Sequence, residues 1–184
     1  TSAIQAAINY AGLTGAELIF PRGVCRTTAT LNASTTNYVY RLKGAGYGAQ
    51  LFNDSASPVP TITANASSYS GGSCPISLQP CVSVEGITFI APYTTSAGNY
   101  AVRASYNQHL RFVGNSVQGY RVGLNFDNSY APEIIGNTFT NNIGSAVFLA
   151  ADSTGNQAQI VANRLYANGA GTSDAAVSVG GSVT

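Results

Sequence analysis

The sequence predicts an all-β chain: a right-handed, single-stranded parallel β-helix, a solenoid, closed at its start by an amphipathic capping helix. Three observations carry that expectation. One short pattern occurs four times: Val84-Glu85-Gly86-Ile87-Thr88-Phe89, Phe112-Val113-Gly114-Asn115-Ser116-Val117, Ile134-Ile135-Gly136-Asn137-Thr138-Phe139 and Ile160-Val161-Ala162-Asn163-Arg164-Leu165. The copies start 28, 22 and 26 residues apart, a period that belongs to stacked repeats. Between them runs a second family of short apolar stretches, Ala101 to Ala104, Val122 to Phe126, Ala146 to Ala150 and Ala175 to Val179. Finally, no helical periodicity lies inside these coils, so they cannot be βαβ units. A right-handed parallel coil is then the way to lay like strands side by side.

Taken in order, Ser2 to Ala11 reads as a helix. Ser2 serves as its N-cap, Ile4, Ala7, Ile8 and Ala11 share one face, and Gly12 and Gly15 end it. Its role is to cover the open core and free edge of the first coil. Glu17 to Phe20 and Val24 to Thr28 read as strands around a Pro21-Arg22-Gly23 turn, and Tyr38 to Lys43 as a further strand. The glycines of Gly44-Ala45-Gly46-Tyr47-Gly48 lack dinucleotide-loop spacing and precede no helix, so they read as a solenoid corner. The organisation expected is one domain over 1–184. It has a capping helix at 1–15, first coils at 16–52, a Ser-, Pro-, Asn- and Gly-rich loop excursion at 53–81, and regular coils at 82–184. The strand pattern is still running at Val177-Ser178-Val179, which leads to the expectation of a longer protein or a covered end.

Within the repeat, Phe112, Ile134 and Ile160 fall in one place and Val117, Phe139 and Leu165 in another, predicting apolar columns through the core. Gly114, Gly136 and Ala162 are small because the chain turns there. Asn115, Asn137 and Asn163 are expected to stack as a structural amide ladder. Ile87 stands in their place in the first copy, so the ladder should begin one coil later.

Composition narrows the function classes. Eight basic residues against seven acidic ones leave a net charge of +1, without the clustered cations that nucleic acid or an anionic membrane surface demands. No apolar run approaches the ~20 residues of a spanning helix. The surface must instead be built from Ser, Thr, Asn, Gln, Gly and Tyr, which suits neutral, hydroxyl-rich ligands and is also common in secreted structural proteins.

Of the three cysteines, Cys74 and Cys81 flank a short segment. A disulfide there would stabilise by roughly 2.5 kcal/mol and mark an oxidising compartment; the alternative is two reduced thiols. Cys25 sits in an apolar strand and reads as a small core residue.

On a β-helix, ligands lie across the outward face of neighbouring strands. With Val122, Leu124 and Phe126 inward, Asn125 and Asp127 point out. Asp152 follows one coil later, near the outward side if Val147 and Leu149 are inward, and Arg103 lies one coil earlier. Asp127 and Asp152 therefore form the candidate acidic pair of a glycosidase, with Arg103 as the base if the reaction is a lyase elimination. Both Asp-Asn-Ser and Asp-Ser-Thr-Gly are also turn sequences, and a plain turn role is the competing assignment. Asn125 with Tyr106 and Tyr130 are candidate glycan contacts; Tyr93, Tyr100 and Tyr120 share their corner positions. His109 is expected outside any catalytic role, and Arg111 and Glu133 as a surface pair on successive coils. No metal site is expected, since too few carboxylates cluster; calcium enters only if the chain is a uronate lyase.

The N-terminal third adds a resemblance. Thr1-Ser2-Ala3-Ile4-Gln5-Ala6-Ala7-Ile8, Phe20-Pro21-Arg22-Gly23-Val24 and Leu42-Lys43-Gly44-Ala45-Gly46 resemble the opening of the pectate-lyase-like (pectin lyase fold) superfamily, which includes phage tailspike depolymerases. The likeness continues through the coils to about residue 180, with Cys25 standing where the family usually carries Tyr. It implies an extracellular protein, secreted or carried on a virion. It also implies a polysaccharide or cell-surface glycan as partner and a homotrimer if the chain is tailspike-like. Cleavage by a hydrolase or lyase is the implied activity, and a non-catalytic spike, adhesin or β-helix rod the alternative, with stacking at the open coil end as its assembly mode. The motif sets of polygalacturonases, alginate epimerases and pectate lyases are missing; Asn125-Phe126-Asp127 alone resembles the polygalacturonase Asn-Thr-Asp.

Overall fold

The computed structural model describes residues 1–34, 40–46, 48–55, 59–65, 82–92, 99–105, 109–127, 129, 131–150, 158–169 and 176–180. It is an all-β parallel β-helix of three sheets with one N-terminal helix. The first sheet holds β1 (Glu17–Phe20), β4 (Tyr40–Gly44), β7 (Val82–Glu85), β10 (Arg111–Val113), β13 (Glu133–Ile135) and β16 (Gln159–Val161). The second holds β2 (Gly23–Thr27), β5 (Ala49–Asn53), β8 (Thr88–Ile90), β11 (Ser116–Gln118), β14 (Thr138–Thr140) and β17 (Arg164–Tyr166). The third holds β3 (Leu31–Ser34), β6 (Ile62–Asn65), β9 (Tyr100–Ser105), β12 (Val122–Asp127), β15 (Val147–Leu149) and β18 (Val177–Val179). The chain visits the three sheets in turn, and each strand pairs in parallel with the strand one coil away.

The repeat proves to be one strand of the first sheet, a corner, and one strand of the second. Gly86, Gly114 and Gly136 turn that corner at φ 64, 63 and 64°, and Ala162 does so at φ 56°. This is the left-handed region, where a Cβ is penalised, so the small residue is required by backbone conformation as well as by space.

The expected columns form. Leu18, Leu42, Val84, Phe112, Ile134 and Ile160 are in register along the first sheet. Cys25, Leu51, Phe89, Val117, Phe139 and Leu165 follow the second. Leu31, Ile62, Val102, Leu124, Val147 and Val177 follow the third. Phe112 links two of them, its ring centroid 5.8 Å from Phe89 and 6.3 Å from Phe139. Cys25 is a free thiol packed against the core.

The asparagine ladder is as expected and begins at Asn115. Its Oδ1 accepts the Ile87 N–H at 2.9 Å and its Nδ2 donates to the Val84 carbonyl at 2.9 Å. Asn137 accepts from the Asn115 N–H at 2.8 Å and donates to Phe112 at 2.8 Å; Asn163 accepts from the Asn137 N–H at 2.9 Å and donates to Ile134 at 2.7 Å. A second ladder stands five residues further along each coil. Asn142 accepts from Tyr120 and donates to Val117, while Asn168 accepts from Asn142 and donates to Phe139. Each amide satisfies backbone groups that a corner would otherwise leave unpaired in the interior.

Three sequence expectations change. Helix α1 spans Ser2–Thr14 with Thr1 as N-cap residue. Thr1 makes no side-chain cap bond; its Oγ1 instead accepts the Thr28 N–H at 2.8 Å. Gly12 does not end the helix but lies buried within it, because a Cβ there would collide with the Tyr40 ring; Gly15, in the left-handed conformation, is the C-cap. Inside the stretch read as a loop excursion, Ile62–Asn65 is a full strand with Ile62 and Ala64 completely buried. Cys74 and Cys81 lie outside the described residues.

Candidate functional site

The register of β9, β12 and β15 positions the site. Val102, Ala104, Leu124, Phe126, Val147 and Leu149 fill the core, so the residues between them face outward. Arg103, Asn125, Phe148 and Ser178 are in register on successive strands, preceded in the same row by Asn32 and Thr63. Ser105 and Asp127 form the adjacent row.

Asp127 ends β12 with both carboxylate oxygens engaged. Arg103 donates from Nε to Oδ2 at 2.8 Å, Ser105 from Oγ to Oδ2 at 3.5 Å, and Asn125 from Nδ2 to Oδ1 at 3.0 Å. Among the described residues these partners are all side chains. The side chain of Arg103 is 49% exposed and that of Asp127 is 25% exposed, so the pair meets solvent and contributes at most ~1 kcal/mol to stability. Arg103 uses only Nε on Asp127 among the described residues, leaving its terminal N–H groups as donors. Asn125 is outward as expected but only 6% exposed. It holds Asp127 and offers a ligand little surface.

Of the other expected site residues, Asp152, Tyr106 and Tyr130 lie outside the described residues, as does Tyr93. Tyr120 is fully buried and cannot stack on a ligand; its hydroxyl shares a 2.8 Å hydrogen bond with Thr61 Oγ1 and donates to the Ile90 carbonyl at 3.2 Å. Burial raises its pKa above the usual phenol value. Tyr100 is half-buried at the start of β9. His109 is half-buried at φ 58°. Arg111 pairs with Glu133 at 3.6 Å, as expected, and also with Glu85. Among the described residues no three His, Cys, Asp or Glu side chains are grouped to hold a metal ion, and no helix is long and apolar enough to cross a membrane.

Two other outward features lie among the described residues. A 310 Å³ groove on the first sheet is lined by Glu17, Arg41, Lys43, Ser83, Glu85 and Arg111, with opposite charges interleaved. A 520 Å³ trough follows the corner between the first and second sheets, floored by Gly86, Gly114 and Gly136 and edged by Thr88, Ser116 and Thr138. The hydroxyl row was legible as the polar place of the repeat. The trough beside it was not, since it depends on the glycines having no side chain to fill it.

Comparison with family models, with characterised proteins and with solved structures found no match. The geometry of the chain itself must carry the functional reading.

Proposed function

We propose that this chain recognises an extended polysaccharide on the outward face of its third sheet. The observation that carries the reading is the Arg103–Asp127–Asn125 cluster. It is an ordered set of charged donors and acceptors at the surface of a rigid scaffold. Fixed side chains on strands lose little entropy on binding, and the row spacing of about 4.8 Å between strands suits a ligand that runs across several coils. The sparsely charged surface supports a neutral or weakly charged, hydroxyl-rich partner.

Cleavage is the stronger form of the proposal. It assigns the two carboxyl roles of a glycosidase to Asp127 and Asp152, or lyase chemistry to Arg103 with an acidic partner. The resemblance to the pectate-lyase-like superfamily and its tailspike depolymerases supports this form, together with an extracellular or virion-borne location and a trimeric assembly. One observation favours the non-catalytic alternative, a glycan-binding spike or rod. Both oxygens of Asp127 are already held by neighbouring side chains, an arrangement that fixes a carboxylate in place rather than freeing it for proton transfer.

Incubation with acidic and neutral polysaccharides, followed by reducing-end assay and ultraviolet absorbance for unsaturated uronates, separates these forms. Binding with new reducing ends, lost in Asp127→Ala and Asp152→Ala, supports cleavage at this pair. Binding without product on any glycan removes the enzymatic form, and absence of binding removes the whole reading.

A further inference from the structure

The outward row of the third sheet is polar at Asn32, Thr63, Arg103, Asn125 and Ser178, and aromatic at one position, Phe148. We propose that Phe148 is the stacking platform of a sugar-ring subsite, with Arg103 and Asp127 as its polar rim. The inference rests on the glycan-recognition reading and names the residue that holds the ring.

Phe148 faces outward because Val147 and Leu149 on either side are in the core. Its neighbours in register, Asn125 and Ser178, are both short. Ser178 Oγ is committed to Ser145 at 2.7 Å, and Asn125 to Asp127, so neither extends over the ring. Phe52, an outward phenylalanine on β5, differs in this respect: the Arg26 guanidinium lies 5.4 Å from its ring centroid. Phe148 has no such cover among the described residues.

The geometry fits a pyranose. Such a ring has an apolar C–H face and a rim of hydroxyls, and aromatic side chains bind the first while hydrogen-bonding groups bind the second. Arg103 lies two strands from Phe148, about 10 Å away at the strand spacing. A ring stacked on Phe148 would therefore turn its hydroxyls toward the terminal Arg103 N–H donors, unengaged among the described residues, and the remaining lone pairs of Asp127. Phe148 is half-buried, and a single partly exposed aromatic is common on protein surfaces. It is the ordered charged pair beside it, Arg103 in the same row and Asp127 in the adjacent one, that makes this one a platform.

The sequence contains no tryptophan, so Phe148→Trp introduces a sole indole reporter at the proposed subsite. Affinity electrophoresis through gels containing dextran, laminarin, galactan or polygalacturonate gives the binding arm. For each polysaccharide that retards the wild type, Phe148→Ser should weaken binding about tenfold. Phe148→Trp should retain binding, and its fluorescence should change saturably over the same concentrations. Tyr166→Ser, an exposed aromatic on the second sheet, should bind as the wild type does. Unchanged binding by Phe148→Ser, or an indole signal unmoved at saturation, overturns the platform while leaving glycan recognition standing. No retardation of the wild type on any of the four overturns the recognition reading and the platform with it.

Discussion

Gln5 pairs with Asn32 as a neighbouring strand would. Its Oε1 accepts the Asn32 N–H at 2.7 Å and its Nε2 donates to the Asn32 carbonyl at 2.9 Å. The helix thus closes the free edge of β3 with one side-chain amide, while Ile8 and Ala11 bury the end of the core. Free edges template pairing with other chains. Gln5→Ala should therefore cost about 1–2 kcal/mol in urea denaturation and increase self-association in sedimentation. A variant as stable and as monodisperse as its parent would show that the helix cap works by packing alone.

Asn137 serves four groups from an almost fully buried position: it accepts from the Asn115 N–H and side-chain amide, and donates to the Phe112 carbonyl and to Asn163 Oδ1. Asn137→Ala strands buried donors and acceptors, and about 2–4 kcal/mol of stability should disappear. Asn137→Asp restores the acceptor but not the donor and should recover only part of it.

Ala162 turns its corner at φ 56°, where the three earlier copies use glycine. Its Cβ is exposed and makes the left-handed backbone costly for no packing return. Ala162→Gly should raise stability by about 0.5–1 kcal/mol, the left-handed strain relieved less the extra entropy of an unfolded glycine. A decrease would mean that the alanine methyl makes a stabilising contact.

Tyr120 gives the fold an alkaline limit. Its folded pKa is raised by desolvation above the ordinary value of 10.0. Below pH 10 both folded and unfolded phenols are protonated and the contribution to stability is complete. Above it the unfolded phenol releases its proton first, so the unfolded state binds fewer protons and stability falls as pH rises. Unfolding free energies measured from pH 8 to about 11.5 should decline more steeply for the wild type than for Tyr120→Phe. Parallel profiles would remove Tyr120 from the cause.

The residues that were legible in the sequence are those whose role repeats at fixed chemistry. Asn115, Asn137 and Asn163 follow a small residue in three successive copies, so their stacking could be read directly. Asn142 and Asn168 repeat at the same offset, but Tyr120 occupies their place one coil earlier, and two members alone do not announce a ladder. Strand β6 was hidden because Pro58, Pro60 and the Ser- and Asn-rich flanks carry turn chemistry in the sequence, while its own apolar signal is limited to Ile62 and Ala64. Gly12 reads as a helix end from propensity; the Tyr40 ring that makes it necessary arrives from 28 residues away. At the candidate site, alternation on β12 was enough to turn Asn125 and Asp127 outward. That Arg103 bonds Asp127 diagonally, with Asn125 directly opposite it, depends on the register between coils of unequal length. Solvent exposure depends on neighbours too, which is why Asn125 faces out yet stays covered.

Arg103 and Asp127 provide the most direct measurement. Both are solvent-accessible, so Arg103→Ala and Asp127→Ala should each change unfolding free energy by less than about 1 kcal/mol. Each should nevertheless weaken binding to a polysaccharide that the wild type binds by about tenfold or more. Folded variants with lost binding are the predicted result. Folded variants that bind that polysaccharide as tightly as the wild type would contradict the assignment of the third sheet as the recognition face.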